Sequence, residues 1–207
     1  MYKSEKLWDL LSYNYDRGAN KSDQSENKPL ENIKKYLSVN DVVLDFGCAT
    51  GTMVIDIADK VGEVHGIDIS SKMVEAAVRK AAESKIANTH FAQATIFDKR
   101  FHKESFNAIL ALSVLHLLKD TQRVVQRINE LLKPGGFFIS TTPCLGEKTS
   151  FISNLLLLLS KIGVLPYIRF FKISELEKSI ANGKFQIVET EYFSHNPAFY
   201  YIVAKKI

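Results

Sequence analysis

Only two of the 207 residues are cysteine, Cys48 and Cys144, and only one is tryptophan. Two cysteines so placed form neither a metal spacing nor a disulfide framework, so a reducing, cytoplasmic setting is expected. No Asp/Asn set stands at metal-ligand spacing, so no metal is expected either. No apolar run is long enough to make a transmembrane segment. No dense basic run occurs: 27 lysines and arginines face 23 acids, a net charge of +4. That pattern is read as solvated helix faces, with no nucleic acid partner. The opening MYKSEKLWDLLSYNYD has acids within its apolar part, so it is not read as a signal peptide. Repeats and low-complexity tracts are missing as well. What remains has the composition of a globular chain long enough for one substantial core.

The stretch that organises this chain is Val42 to Met53, VVLDFGCATGTM. A β-branched run ends in Asp45 and breaks into a turn, Gly47-Cys48-Ala49-Thr50-Gly51, after which Val54, Ile55, Ile57, Ala58 and Val61 recur at helical spacing. A buried strand, a tight loop and a helix start hold the polar part of nucleotide-like ligands in α/β domains. The next strand, Glu63 to Ile67, ends in Asp68, where a carboxylate can take both hydroxyls of a ribose. A dinucleotide loop would want glycine at 47, 49 and 52, but Ala49 and Thr52 stand at the last two. Asp45 would repel a pyrophosphate, yet it suits a ligand carrying an ammonium and a sulfonium. The loop therefore reads as a site for S-adenosylmethionine rather than NAD.

Around this stretch, Ser4 to Asp16 reads as an amphipathic helix with Leu7, Leu10, Leu11 and Tyr15 on one face. Gly18 to Asn27 reads as a loop, and a second helix follows with Leu30, Ile33 and Leu37 inward. Ser70 is an N-cap for a helix burying Val74, Ala77, Val78 and Ala81. Strands are expected over Thr89 to Gln93, Phe106 to Leu112 and Phe137 to Thr141. A helix runs from Asp120 to Leu132 and stops at Lys133-Pro134-Gly135-Gly136. Phe151 to Phe171 is unusually apolar, Ser174 and Glu177 make a capping box for a short helix, and Phe185 to Phe193 with Phe199 to Ala204 reads as a hairpin. Alternation of strands and helices argues a doubly wound parallel sheet. One domain over 1–207 is expected, with a helical cap at 1–40, a binding core at 41–142, an apolar insert and helix at 143–183, and a hairpin at 184–207.

From Asp41 to Thr142 the chain resembles the class I methyltransferases, whose first motif runs acid-x-Gly-x-Gly-x-Gly. Asp45, Gly47 and Gly51 match, and Ala49 replaces the middle glycine. Lys133-Pro134-Gly135-Gly136, Ser105-Phe106-Asn107 with Leu115-His116-Leu117-Leu118, and Tyr15-Asp16 resemble further family segments. The resemblance implies an α/β fold: a doubly wound, mostly parallel seven-stranded, Rossmann-like sheet with a terminal antiparallel hairpin and a helical apolar insert after strand 5. In that hairpin the final strand is inserted beside the fifth. It also implies S-adenosylmethionine as cofactor and a small-molecule acceptor. On the family's pattern Asp45 would orient the methionine ammonium, and Gly47, Cys48 and Gly51 would surround the methionine. Asp68 would bind the ribose, with Ile69 and Met73 along the adenosine. Thr95 and Ile96 would meet the adenine, Leu112 and Ser113 the sulfonium and acceptor, and Tyr15 would close over the cofactor. Two further departures are Thr95, where the family often has an acid, and Asn107, in place of an aspartate, which is expected to be structural.

In-line methyl transfer runs on positioning and desolvation, with a base needed only if the acceptor must lose a proton. His116 is the candidate base, although a histidine packed at a helix start has the same spacing. The apolar insert, with Leu155 to Leu159, Val164, Leu165, Tyr167, Ile168 and Phe170, reads in three ways. It packs on the sheet, it covers a hydrophobic acceptor, or it makes a peripheral membrane or homodimer contact. Two alternatives stay open at this point: a weakly active or inactive cofactor-binding regulatory protein of the same fold, and a nucleotide-dependent oxidoreductase.

Overall fold

A computed structural model of the chain describes residues 3–16, 27–147, 160, 167–195 and 198–207. Its elements are α1 (Lys3–Ser12), α2 (Asn27–Lys34), β1 (Val42–Phe46), α3 (Thr52–Ile57), β2 (Glu63–Asp68), α4 (Ser71–Glu83) and β3 (Thr89–Gln93). There follow β4 (Phe106–Leu112), α5 (Thr121–Leu131), β5 (Leu132–Pro143), α6 (Ile173–Ala181), β6 (Phe185–His195) and β7 (Ala198–Lys206). The sheet has seven strands in the order β3-β2-β1-β4-β5-β7-β6. The first five are parallel, and β7 lies antiparallel between β5 and β6. The strand number, the strand directions and the place of β7 beside β5 are those the resemblance implies.

The central strands are apolar on both sides because both sides are covered. One face packs Val43, Val64, Leu110 and Ile139 against Ile33 of α2 and Val54 and Ile57 of α3. The other packs Leu44, Ile109 and Phe138 against Val124, Val125, Ile128 and Leu131 of α5 and Leu176 and Ile180 of α6. The chain order β1-β2-β3 runs one way across the sheet and β4-β5 the other, so the switch point lies between β1 and β4. In doubly wound sheets the strands' carboxyl ends at that point form a crevice.

Asn107, the departure beside Phe106, holds strand ends together: its Oδ1 accepts from the Val42 N–H at 3.0 Å and from the Lys133 ammonium at 2.8 Å. An aspartate would serve the same two donors, so the exchange is structural. Ser70 caps α4, accepting from the Met73 N–H at 3.1 Å. The hairpin closes as expected, with Ser194 opposite Phe199 and His195 opposite Ala198.

Several details differ from the sequence expectations. The first helix stops at Ser12, and Leu10 and Leu11 point to solvent at 77% and 44% exposure. Polar anchors on α1, described below, set its rotation instead of an apolar stripe. Val78 is half exposed; α4 buries Ala77 and Ala81 as expected, with Met73 in addition. The Pro-Gly-Gly segment does not precede the fifth strand but lies inside it. Leu132 already pairs with Phe106, and the register then shifts before Phe137 pairs with Ala108. The cap of α6 also moves: Glu175, not Glu177, reaches back to the Lys172 N–H at 3.3 Å, and Glu177 accepts from the Tyr200 hydroxyl at 2.6 Å. Leu155 to Leu159, Val164 and Leu165 lie outside the described residues, as does most of the expected loop from Gly18.

Candidate active site

The loop after β1 is shaped by its glycines. Gly47 and Gly51 have φ of 81° and 77°, which an L side chain rarely adopts. A Cβ at Gly51 would lie 2.7 Å from Cβ of Ala77, and one at Gly47 would lie 2.9 Å from Cγ2 of Val114. Ala49 also sits in the left-handed region, at φ 47°. For alanine that costs about 1–2 kcal/mol. What holds it there is its N–H, which donates to Oδ2 of Asp68 at 3.1 Å.

Asp68 ends β2 and is fixed by backbone donors. Its Oδ1 accepts from the Ser70 N–H at 2.8 Å and its Oδ2 from Ala49. Burial raises its pKa, and the hydrogen bonds from Ser70, Ala49 and Ile69 oppose the rise. Asp45 lies deeper, 2% exposed, with Oδ1 lacking any hydrogen-bond partner. Burial first, then the charge of Asp68, pushes its pKa up to about 7. Two carboxylates, one buried and under-bonded, leave a deficit of positive charge at this end of the crevice.

A cleft of about 1230 Å³ opens over these strand ends. It brings together most of the expected residues. Gly47, Asp68, Ile69 and Met73 line it from the loop and the β2 exit, and Thr95 and Ile96 from the β3 exit. Leu112 and Ser113 line it from the β4 exit, and Tyr15 from the N-terminal segment. Ser113, like Ala49, has a positive φ (54°), held by its N–H to the Thr141 carbonyl at 2.7 Å. Burial and the charges of Asp68, Asp45 and Asp16 raise the pKa of Tyr15, so its phenol stays protonated.

Four expected residues do not line the cleft. Asp45 lies beneath the loop. Cys48 is buried, its thiol donating to the Ala49 carbonyl at 3.7 Å; burial raises its pKa, so it stays a neutral thiol that shapes the loop. Gly51 acts through backbone geometry alone. His116 is not among the residues that line the cleft: its Nδ1 is buried without a partner, and burial lowers its pKa to about 4. Its carbonyl accepts from the Arg169 N–H at 2.6 Å, so the packing reading fits it better than the base.

Other lining residues escape sequence reading. Leu7 and Trp8 of α1 face the cleft, because α1 is pinned across it by polar contacts. Asp9 accepts from the Ser70 hydroxyl at 2.6 Å, and Glu5 from the Gln93 amide at 3.0 Å. Beyond α1, Asp16 accepts from the Thr50 hydroxyl at 2.6 Å and pairs with Lys80 at 2.7 Å. Although desolvation opposes it, those contacts hold Asp16 below the usual carboxylate range. On the far side Val114, Leu117, Leu118, Lys119 and Val124 line the cleft, with Ser160 and Tyr167 from the apolar insert. Among the described residues, Tyr167 is the member of that insert expected from sequence that lines the cleft.

With this geometry in hand the comparisons are specific. Residues 37–187 match the family model for a methyltransferase domain. The chain belongs to that family, the class I S-adenosylmethionine-dependent methyltransferases. A ubiquinone biosynthesis O-methyltransferase of Shewanella sp. (strain ANA-3) is 27% identical over 160 residues, covering 75% of this chain and 67% of that protein. The [4+2]-cyclase SpnF shares the fold at a TM-score of 0.82 and 16% identity, covering 99% of this chain and 95% of that one. A geranyl diphosphate methyltransferase solved with S-adenosylmethionine superposes at a TM-score of 0.76 and 15% identity, covering 88% and 86%. The enzyme class and its cofactor thus agree with the charge argument made at Asp45 and Asp68.

Proposed function

We propose that this methyltransferase acts on a small, largely apolar acceptor held on the β4 side of the cleft. The observation that carries the reading is the polarity of the cleft's two ends. The end over β1 and β2 is carboxylate-rich around Asp68 and Asp45. The other end is walled by Leu112, Val114, Leu117, Leu118, Val124 and Tyr167.

S-adenosylmethionine fits the first end, because a ligand with ammonium and sulfonium charges supplies what Asp45 and Asp68 lack. Bound there, it supplies an electrophilic methyl group with a neutral thioether as leaving group. Asp45, whose unpartnered oxygen lies beneath the loop, would hold the ammonium across a water. Asp68, already oriented by Ala49 and Ser70, accepts from the ribose hydroxyls. Ile69 and Met73 run along the adenosine, and Ile96 offers an apolar face to the adenine. The Thr95 hydroxyl, which accepts from the Phe97 N–H at 3.3 Å, would meet the adenine edge. Leu112 and Ser113 face the transferring methyl. The apolar wall excludes water and presents the acceptor in line, which is most of what this reaction asks of a protein.

Calorimetric titration with S-adenosylmethionine, NAD and NADP, followed by transfer of labelled methyl groups into a cell extract, tests the reading. Preferential binding of S-adenosylmethionine and label in a low-mass, organic-extractable fraction is the expected result. Label in protein or nucleic acid, or preference for a dinucleotide, would overturn it.

A further inference from the structure

Of the side chains that line the cleft among the described residues, only Asp68 and Lys119 carry charge, and they are of opposite sign. They stand on opposite sides of β1: Asp68 at the β2 exit and Lys119 beyond β4, just before α5. Lys119 is exposed and pairs with no carboxylate among the described residues. Close by, the Arg123 guanidinium lies 4.7 Å above the ring of Phe97, another lining residue. Stacking on an aromatic face leaves the edge of a guanidinium free to donate in its own plane. The neighbouring acids do not quench this pair. Asp120 caps α5, accepting from the Arg123 N–H at 3.1 Å, and Asp98 is taken by Arg100 at 2.8 Å. The cleft therefore has a carboxylate end, an apolar middle and a cationic rim.

The geometry points to an acceptor that is an organic anion: an apolar body seated among Leu117, Leu118 and Tyr167, with a carboxylate or phosphate at Lys119 and Arg123. This deepens the methyltransferase reading and rests on it. A neutral apolar acceptor would gain nothing from the two hydrated cations at the rim. A cationic acceptor would be repelled there. Charge-assisted bonds from both groups give the anion its preference.

The test is calorimetry with 2-naphthoate, 2-naphthyl phosphate, 2-naphthylmethanol and 2-naphthylmethylamine. Each is titrated into the full chain with and without S-adenosylhomocysteine. At least one anion is expected to bind about tenfold or more tighter than the alcohol, the loss of one charged hydrogen bond being of that size. Which anion does so separates carboxylate from phosphate acceptors. Lys119→Gln with Arg123→Gln removes the preference while the S-adenosylhomocysteine affinity and the melting temperature stay unchanged, and Lys119→Glu shifts it toward the amine. Equal binding of alcohol and anions, binding of none of the four, or a preference that survives the double substitution would overturn the proposal. Failure of S-adenosylhomocysteine to bind while anions are still preferred would instead overturn the methyltransferase reading alone.

Discussion

Asp45 is buried behind Asp68, and after burial itself it is the charge of Asp68 that opposes ionisation of Asp45. One Asp45 oxygen is without a partner and its pKa stands at about 7. Without a cation beside it this carboxyl is therefore partly protonated near neutrality. A cationic donor needs the ionised form, so binding favours release of that proton. From pH 7.5 down to 6, S-adenosylmethionine affinity is expected to fall roughly five- to tenfold, read by calorimetry in buffers of differing ionisation heat. A flat profile across that window would contradict the assignment.

The same shift bears on stability with a definite sign. The folded pKa of Asp45 lies above the ordinary carboxylate value, so between about pH 4 and pH 7 the folded chain binds more protons than the unfolded one. Stability contributed by the protonated group is present at the low end and is lost as pH rises through 7. Asp45→Asn is thus expected to raise the melting temperature of the ligand-free chain at pH 8 by roughly 2–8 °C, about 1–2 kcal/mol, while weakening donor binding. A lowered melting temperature at that pH would show that the ionised Asp45 is already satisfied without a ligand.

Asp68→Ala removes an acceptor for the ribose and frees the N–H groups of Ala49 and Ser70. Donor affinity is expected to drop tenfold or more, a charged hydrogen bond being worth about 1.5–3 kcal/mol. Unchanged affinity in a folded variant would take Asp68 out of the site.

Trp8 is the single tryptophan and lines the cleft, so it is a built-in probe. Titration with S-adenosylmethionine is expected to change its emission saturably, with a midpoint matching calorimetry. No change on saturation would place α1 away from the donor.

Gly51→Ala asks a Cβ to sit 2.7 Å from that of Ala77 at φ 77°. A loss of about 2–3 kcal/mol is expected, from strain and overpacking together, visible as a lower melting temperature. A melting temperature within about 2 °C of the parent, roughly a third of that cost or less, would mean the loop relaxes freely.

Lys80→Ala opens the Asp16–Thr50–Lys80 contact. The pair is partly exposed, so less than about 1 kcal/mol of stability is expected to go, with donor affinity weakened no more than about fivefold. Added salt should shrink the difference between variant and parent. A salt-independent difference would point to packing rather than charge.

Much of this site is written in local sequence because local backbone demands choose the residues. Gly47 and Gly51 are needed where φ is positive, and Asp45 and Asp68 end two adjacent parallel strands, so their proximity follows from topology. Leu112 and Ser113 follow from the same rule at β4. The N-terminal helix was harder to read, because contacts to residues 61 and 88 positions away, Ser70 from Asp9 and Gln93 from Glu5, decide its rotation. Periodicity alone put Leu10 and Leu11 inward and passed over Trp8. Lys119 carried no signal either, since a rim lysine looks like any solvated lysine until the cleft beneath it is seen. His116 stays open between its two readings: its neighbours Leu117 and Leu118 line the cleft, while its own Nδ1 is buried without a partner.

The way α1 is fastened has a consequence for the order of events in a catalytic cycle. It is moored by Asp9, Glu5 and, just past its end, Asp16, all through polar links, while Leu10 and Leu11 remain outside. Unmooring such a segment breaks polar links and uncovers Leu7 and Trp8 but leaves the packing of the strands alone, so the cleft can open at α1 without disturbing the sheet beneath. Doorway and floor are separate pieces of architecture, and turnover can be retuned at the first without rebuilding the second.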